Sequence, residues 1–215
     1  MTIQLLDTGQ LLETGLRATL HIGRSARRLL ADRRGVAAIE FAFIAPVLLS
    51  LYFVTMEVSQ GIEVNKKVGR VGSMVADLIT QQQAISTTEI DAIMQIGSSI
   101  LQPYNRSRPT ITVTAIQVSD EDSPKATIAW SRKLSNGTIG KGAKTGDPVN
   151  IPASLITRNT FLIRVESELA YKPVITWTAN QKQALGLAAA FDGIEMKEQY
   201  FLRPRISSAI GCTGC

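Results

Sequence analysis

The sequence predicts an α+β protein whose long N-terminal helix crosses a membrane with its first half and packs on a soluble domain with its second. Three observations carry that prediction. An apolar run of bilayer length follows a basic segment, the apolar stripe beyond it keeps helical spacing, and the second half of the chain changes to the two-residue alternation of strands.

The apolar run comes first. Residues 36–58 read VAAIEFAFIAPVLLSLYFVTMEV, with Glu40 near the start and Glu57 near the end as the only charges. A helix needs roughly 20 such residues to cross a bilayer. Before the run, residues 1–34 hold six arginines against Asp7, Glu13 and Asp32, a net +3. The pI near 9.4 and the formal charge of +5 are therefore unevenly spread. Basic charge placed directly before an apolar run keeps a segment on the cytoplasmic side of a membrane, so the excess is read as topology and not as a nucleic-acid surface. A cleaved signal peptide fits less well, because some thirty residues precede the basic pair Arg33-Arg34 and no small-x-small site follows the run. The leader also carries Leu11, Leu12, Leu16 and Leu20 close to helical spacing, with Arg17, Arg24, Arg27 and Arg28 available to anionic lipid. With 215 residues, the chain has room for such an anchor and one domain of ordinary size. The expected organisation is a cytoplasmic leader over residues 1–35, a membrane segment over 36–58 and an exported α+β domain over 59–215.

Glu40 does not suit a plain anchor. A carboxylate inside a membrane helix costs a few kcal/mol on insertion scales and so has a partner or a task. Glu57 lies at the far end of the run, where the headgroup boundary makes the cost small. Pro46 removes a backbone hydrogen bond from the helix interior and favours a kink.

The stretch RRGVAAIEFAFIAPVLL resembles the processing region of TadE-like minor pseudopilins of the tight-adherence (Flp, type IVb) pilus system. The resemblance implies a pilin-like fold and a cut after Gly35 by a prepilin peptidase on the cytoplasmic side. Val36 then becomes the first mature residue, followed by Glu40 at the fifth position and Phe41. It implies that Glu40 serves processing or assembly, with Pro46 a further point of similarity. Tyr200-Phe201-Leu202-Arg203-Pro204-Arg205 is similar to the aromatic-then-RPR close common in the family. The implied partners are other pilins and pseudopilins, the inner-membrane assembly platform, the prepilin peptidase and membrane lipid. The implied location is the bacterial inner membrane, with the N-terminus cytoplasmic and the C-terminal domain periplasmic or carried into a surface pilus.

Beyond the membrane, Val64, Val68, Val71, Val75, Leu78 and Ile79 extend the stripe, so one helix is expected over about residues 36–82. Gly61, Gly69 and Gly72 lower its propensity and allow bending or close packing. Thr87-Thr88-Glu89-Ile90 opens a second helix with Ile90, Ile93, Met94, Ile100 and Leu101 as its stripe, limited by Pro103. About four antiparallel strands follow: residues 110–118; 126–134, with Ile128 and Trp130 on one face; 161–171; and 194–202. Ser135-Asn136-Gly137 signals a turn, and residues 137–152 and 180–190 read as surface loops.

The chemistry of catalysis is missing from this pattern. No phosphate loop, dinucleotide fingerprint or nucleophile elbow occurs, and the one histidine, His21, falls across the membrane from the exported domain. Arg164, Glu166 and Glu168 share a strand face that reads as solvated. Cys212 and Cys215 form a CxxC away from any βαβ pattern; a short structural disulfide, free thiols and a bridge to another subunit all remain open. No cofactor, metal, nucleic acid or small-molecule substrate is expected. The leading function is structural, in the biogenesis or assembly of a pilus; a permanently anchored envelope binding protein and a thiol oxidoreductase are the alternatives.

Overall fold

A computed structural model of the chain describes residues 35–174 and 194–215. The amphipathic leader with its arginines, His21 and the expected loop at 180–190 lie outside the described residues. The chain divides between Val54 and Thr55 into two units. Helix α1, Val36–Thr80, supplies all of the described first unit after Gly35 and the opening element of the second.

In the first unit α1 carries apolar side chains on every side, Phe41, Phe43, Leu48 and Tyr52 among those exposed. A helix apolar all round and unburied belongs in lipid. The helix continues through Pro46, and Ser50 Oγ donates to the Pro46 carbonyl at 2.8 Å.

In the second unit the stripe does its expected work: Val64, Val68, Val71, Val75 and Ile79 are buried. Gly69 and Gly72 set how closely α1 approaches the sheet, and a Cβ on Gly69 would stand 3.0 Å from Tyr200 Oη. A Cβ on Gly72 would stand 2.8 Å from Tyr200 Cδ2 and 2.9 Å from Ser167 Oγ. Ser167 Oγ in turn donates to the Val68 carbonyl at 2.9 Å, tying helix to strand. Gly72→Ala forces these groups apart and is expected to cost about 1–3 kcal/mol in urea unfolding, although alanine favours a helix. No loss would mean that the close approach is unimportant.

Strand β1, Ala84–Ser86, leads into helix α2, Thr87–Ser99. Ser86 closes a capping box: its Oγ accepts from Glu89 N at 3.3 Å, and its own N–H donates to Glu89 Oε2 at 2.8 Å. The Ser86 N–H first, and then the Ser86 hydroxyl, which donates to Glu89 Oε2 at 2.8 Å, hold the Glu89 carboxyl below its ordinary range. Ile90, Met94 and Gly97 face inward, and Gly97 lets α2 come against Val75 of α1.

The sheet runs β4-β3-β2-β5-β6, all antiparallel, with β2 Thr110–Val118, β3 Ala126–Ser135, β4 Thr138–Lys141, β5 Phe161–Tyr171 and β6 Ile194–Leu202. Strand β7, Gly211–Thr213, pairs in parallel with β1. The α+β class stands, with five strands in the main sheet and a further two-stranded ribbon. Part of the expected loop at 137–152 is strand β4. Asn136 and Gly137 both adopt positive φ, 53° and 84°, which is the geometry of a tight two-residue hairpin turn, so the chain folds straight back on β3.

Ile128 and Trp130 do not share a face. Ala115 stands opposite Trp130 and Ile116 opposite Ile128, so Ala129 is an extra residue in β3 and the alternation slips there. Trp130 joins the main core beneath the helices with Ile111, Val113, Ile163 and Val165. The opposite face holds a smaller cluster of Ile116, Val118, Ala126, Ile151 and Leu162. On that face Arg164 and Glu166 are largely covered and not freely solvated, their side chains 14% and 20% exposed. Gln199 Nε2 donates to Glu166 Oε1 at 3.1 Å and Lys197 pairs with Glu168, making a cross-strand polar ladder. The hydrogen bond to Glu168 pushes the Lys197 ammonium up.

Candidate functional site

Two places along α1 concentrate features that packing alone does not explain. The first is its start. Gly35 stands before the first helical residue, Val36, and among the described residues no atom lies within 4 Å of where its Cβ would be. Glu40 is exposed in the first turns and Phe41 beside it is 67% exposed. Gly35, Val36, Glu40, Phe41 and Pro46 thus lie on one accessible stretch of helix.

The second place is Glu57, the opening turn of the second unit. Sequence reasoning put it at the headgroup boundary, but the structure leaves it only 4% exposed. Its Oε1 accepts from Tyr171 Oη at 2.5 Å and from Val174 N at 3.1 Å, while Oε2 lies 3.0 Å from the same amide. Strand β5 delivers Tyr171 because its alternation places Val165, Leu169 and Tyr171 on the helix side. Tyr104 stacks on the Tyr171 ring at 5.6 Å and accepts from Lys172 N through its hydroxyl at 2.7 Å. Burial first, and then the Glu57 carboxylate, push the Tyr171 phenol well up, so it stays protonated and donates. The signal for this site was present: a carboxylate closing an apolar run needs a partner as much as one opening it. Its partner stands 114 positions away, and no local pattern indicates it.

The C-terminal segment is held elsewhere. Arg205 N donates to the Thr80 carbonyl at 3.0 Å, and the Arg205 guanidinium pairs with Asp77. Trp130 Nε1 donates to the Ile210 carbonyl at 2.8 Å. Cys212 and Cys215 are joined by a disulfide with their Cα atoms 5.7 Å apart. So short a ring connects the tail to nothing else; the β1–β7 pairing and Trp130 do that. Among the described residues no group of three or more His, Cys, Asp or Glu is placed to hold a metal ion.

Residues 35–76 fit the family model described as TadE-like protein. No curated protein and no solved structure matches the chain. The matched span opens on Gly35, takes in Glu40, Pro46 and Glu57, and closes where α1 is packed on the sheet. Over this stretch of its N-terminal helix the chain is similar to the TadE-like proteins.

Proposed function

We propose that the chain is a minor pilin or pseudopilin that takes part in assembling a tight-adherence type IVb pilus, after a prepilin peptidase cuts it between Gly35 and Val36. The observation that carries this reading is the family match beginning at Gly35, one residue before a helix whose apolar opening is unburied. The cut would free an α-amino group on Val36, cationic at neutral pH with an ordinary pKa of about 7.7–8.0. In low dielectric that cation attracts a carboxylate strongly, and Glu40, four residues on and exposed, is the carboxylate available on a neighbouring copy's helix. The basic leader would hold the N-terminus in the cytoplasm, with the second unit periplasmic. Partners on this reading are other pilins, the inner-membrane platform, the peptidase and lipid, and no catalytic step is required.

Mass spectrometry of the protein recovered from membranes, with and without the prepilin peptidase, should show a start at Val36 only when the peptidase is present. An intact Met1 in both samples would leave a permanently anchored envelope protein instead. Glu40→Ala should insert normally yet assemble poorly, since a buried pair that loses one partner costs about 3–5 kcal/mol. Wild-type pilus yield from that variant would remove Glu40 from assembly.

A further inference from the structure

The end of the second unit around Glu57 combines apolar and cationic groups in an order that its core does not require. Four large apolar side chains there are left uncovered: Val58 at 49%, Ile62 at 53%, Val174 at 37% and Ile194 at 44% exposed. Val58, Ile62 and Ile194 line one groove with Tyr171. Val174 is held at the same level by the hydrogen bond that its backbone N–H donates to Glu57. Along α1 the stripe Val58, Ile62, Lys66 passes from apolar to cationic over two turns. Beside it Arg106 lies over the Tyr104 ring at 5.8 Å and donates to the Lys172 carbonyl at 3.4 Å, leaving two more exposed cations. Two of the acids at this end are committed, Glu57 by burial and Glu63 by pairing with Lys67 at 3.1 Å, while Glu195 is exposed in the groove.

We infer that this end of the unit is a membrane-contacting foot, with Val58, Val174 and Ile194 entering the acyl–headgroup boundary and Lys66, Arg106 and Lys172 meeting anionic phospholipid headgroups. Chain connectivity argues for that occupant. The unit begins at Thr55, directly after an apolar helix of membrane-spanning length, so Val58 stands within one turn of the lipid-borne stretch. Apolar groups nearest the bilayer with cations just above them match the chemistry of the interface. Anionic lipid attracts such cations within a Debye length of the surface, which makes the contact salt-sensitive. The inference needs membrane anchoring and does not need pilus assembly.

The test uses the full chain reconstituted in vesicles of mixed anionic and zwitterionic phospholipid, with Cys212 and Cys215 left oxidised. Val174→Cys is labelled with an environment-sensitive thiol fluorophore, and Ser123→Cys, between β2 and β3 at the opposite end of the sheet, serves as the comparison site. Lipids carrying a nitroxide near the headgroup should quench the label at 174 several-fold more than at 123. The difference should shrink in purely zwitterionic vesicles and in high salt. Equal quenching at the two sites, in protein that still resists carbonate extraction, overturns the foot while leaving the anchor in place. Shielding of the 174 label that disappears on diluting protein into excess lipid identifies a second copy as the occupant and overturns it also.

Discussion

Trp130→Ala lowers the stability of the full chain by about 3–5 kcal/mol, the range for deleting a large aromatic from a packed core. The indole is buried opposite Ala115, under the helices, and its N–H also holds the C-terminal segment. Removing it opens a cavity among Ile111, Val113 and Ile163 and leaves the Ile210 carbonyl, on a residue only 1% exposed, without its donor. An orphaned buried acceptor adds about 1–3 kcal/mol to a simple volume loss, offset where the tail relaxes toward water. Trp130→Phe separates the contributions, because it keeps most of the apolar volume and loses the hydrogen bond, for about 1 kcal/mol from that bond. Urea unfolding in detergent followed by far-UV circular dichroism reads both values. A loss for Trp130→Ala no larger than for Trp130→Phe would show that the tail contact, and not the core volume, dominates.

Glu57→Ala is the second large effect, expected at about 2–3 kcal/mol, the scale of hydrogen bonds to a charged group. Alanine strands the Tyr171 hydroxyl and the Val174 amide, and Tyr104 stacking keeps the Tyr171 ring from swinging out to find water. The lost desolvation cost of the carboxylate works the other way, which is why the figure stays below that for a fully broken buried ion pair. Glu57→Gln, which can still accept, should lose less. Tyr171→Phe combined with Glu57→Ala should cost clearly less than the two single changes added together, since one bond serves both. Additive losses would refute a direct coupling. The pH dependence has a definite sign. The phenol pKa is raised in the fold, so its stabilisation is full below the unfolded value of about 10 and disappears as pH rises above it. Tyr171→Phe should therefore flatten the alkaline limb of the stability profile.

Both residues show where sequence reading succeeds and where it stops. Trp130 was legible as a core residue of a strand, yet its face was misassigned because Ala129 is inserted in β3 and shifts the register by one. Strand β4 hid inside an apparent loop because its four residues, Thr-Ile-Gly-Lys, are too short to show alternation. Glu57 was legible as an unusual charge, but its partners come from residues 171 and 174. At the start of α1 the position was the reverse. Gly35, Glu40 and the apolar run form a contiguous local pattern, and the family match begins on the same glycine.

By itself the sequence determined whatever depends on neighbours along the chain: the extent of α1, the start of α2 near Thr87, the α+β class, the apolar, bilayer-length opening of α1 and the TadE-like stretch. These follow from periodicity, charge placement and capping, which act over a few residues and therefore survive in a linear string. Only the tertiary structure decided that Gly72 must stay small beneath Tyr200, that Ile128 and Trp130 serve opposite faces, that Arg164 and Glu166 are covered, and that Glu57 is bonded to Tyr171. Each of these is a contact between segments brought together by burial of the core, and burial rewards apolar area without recording in either segment which partner it will meet.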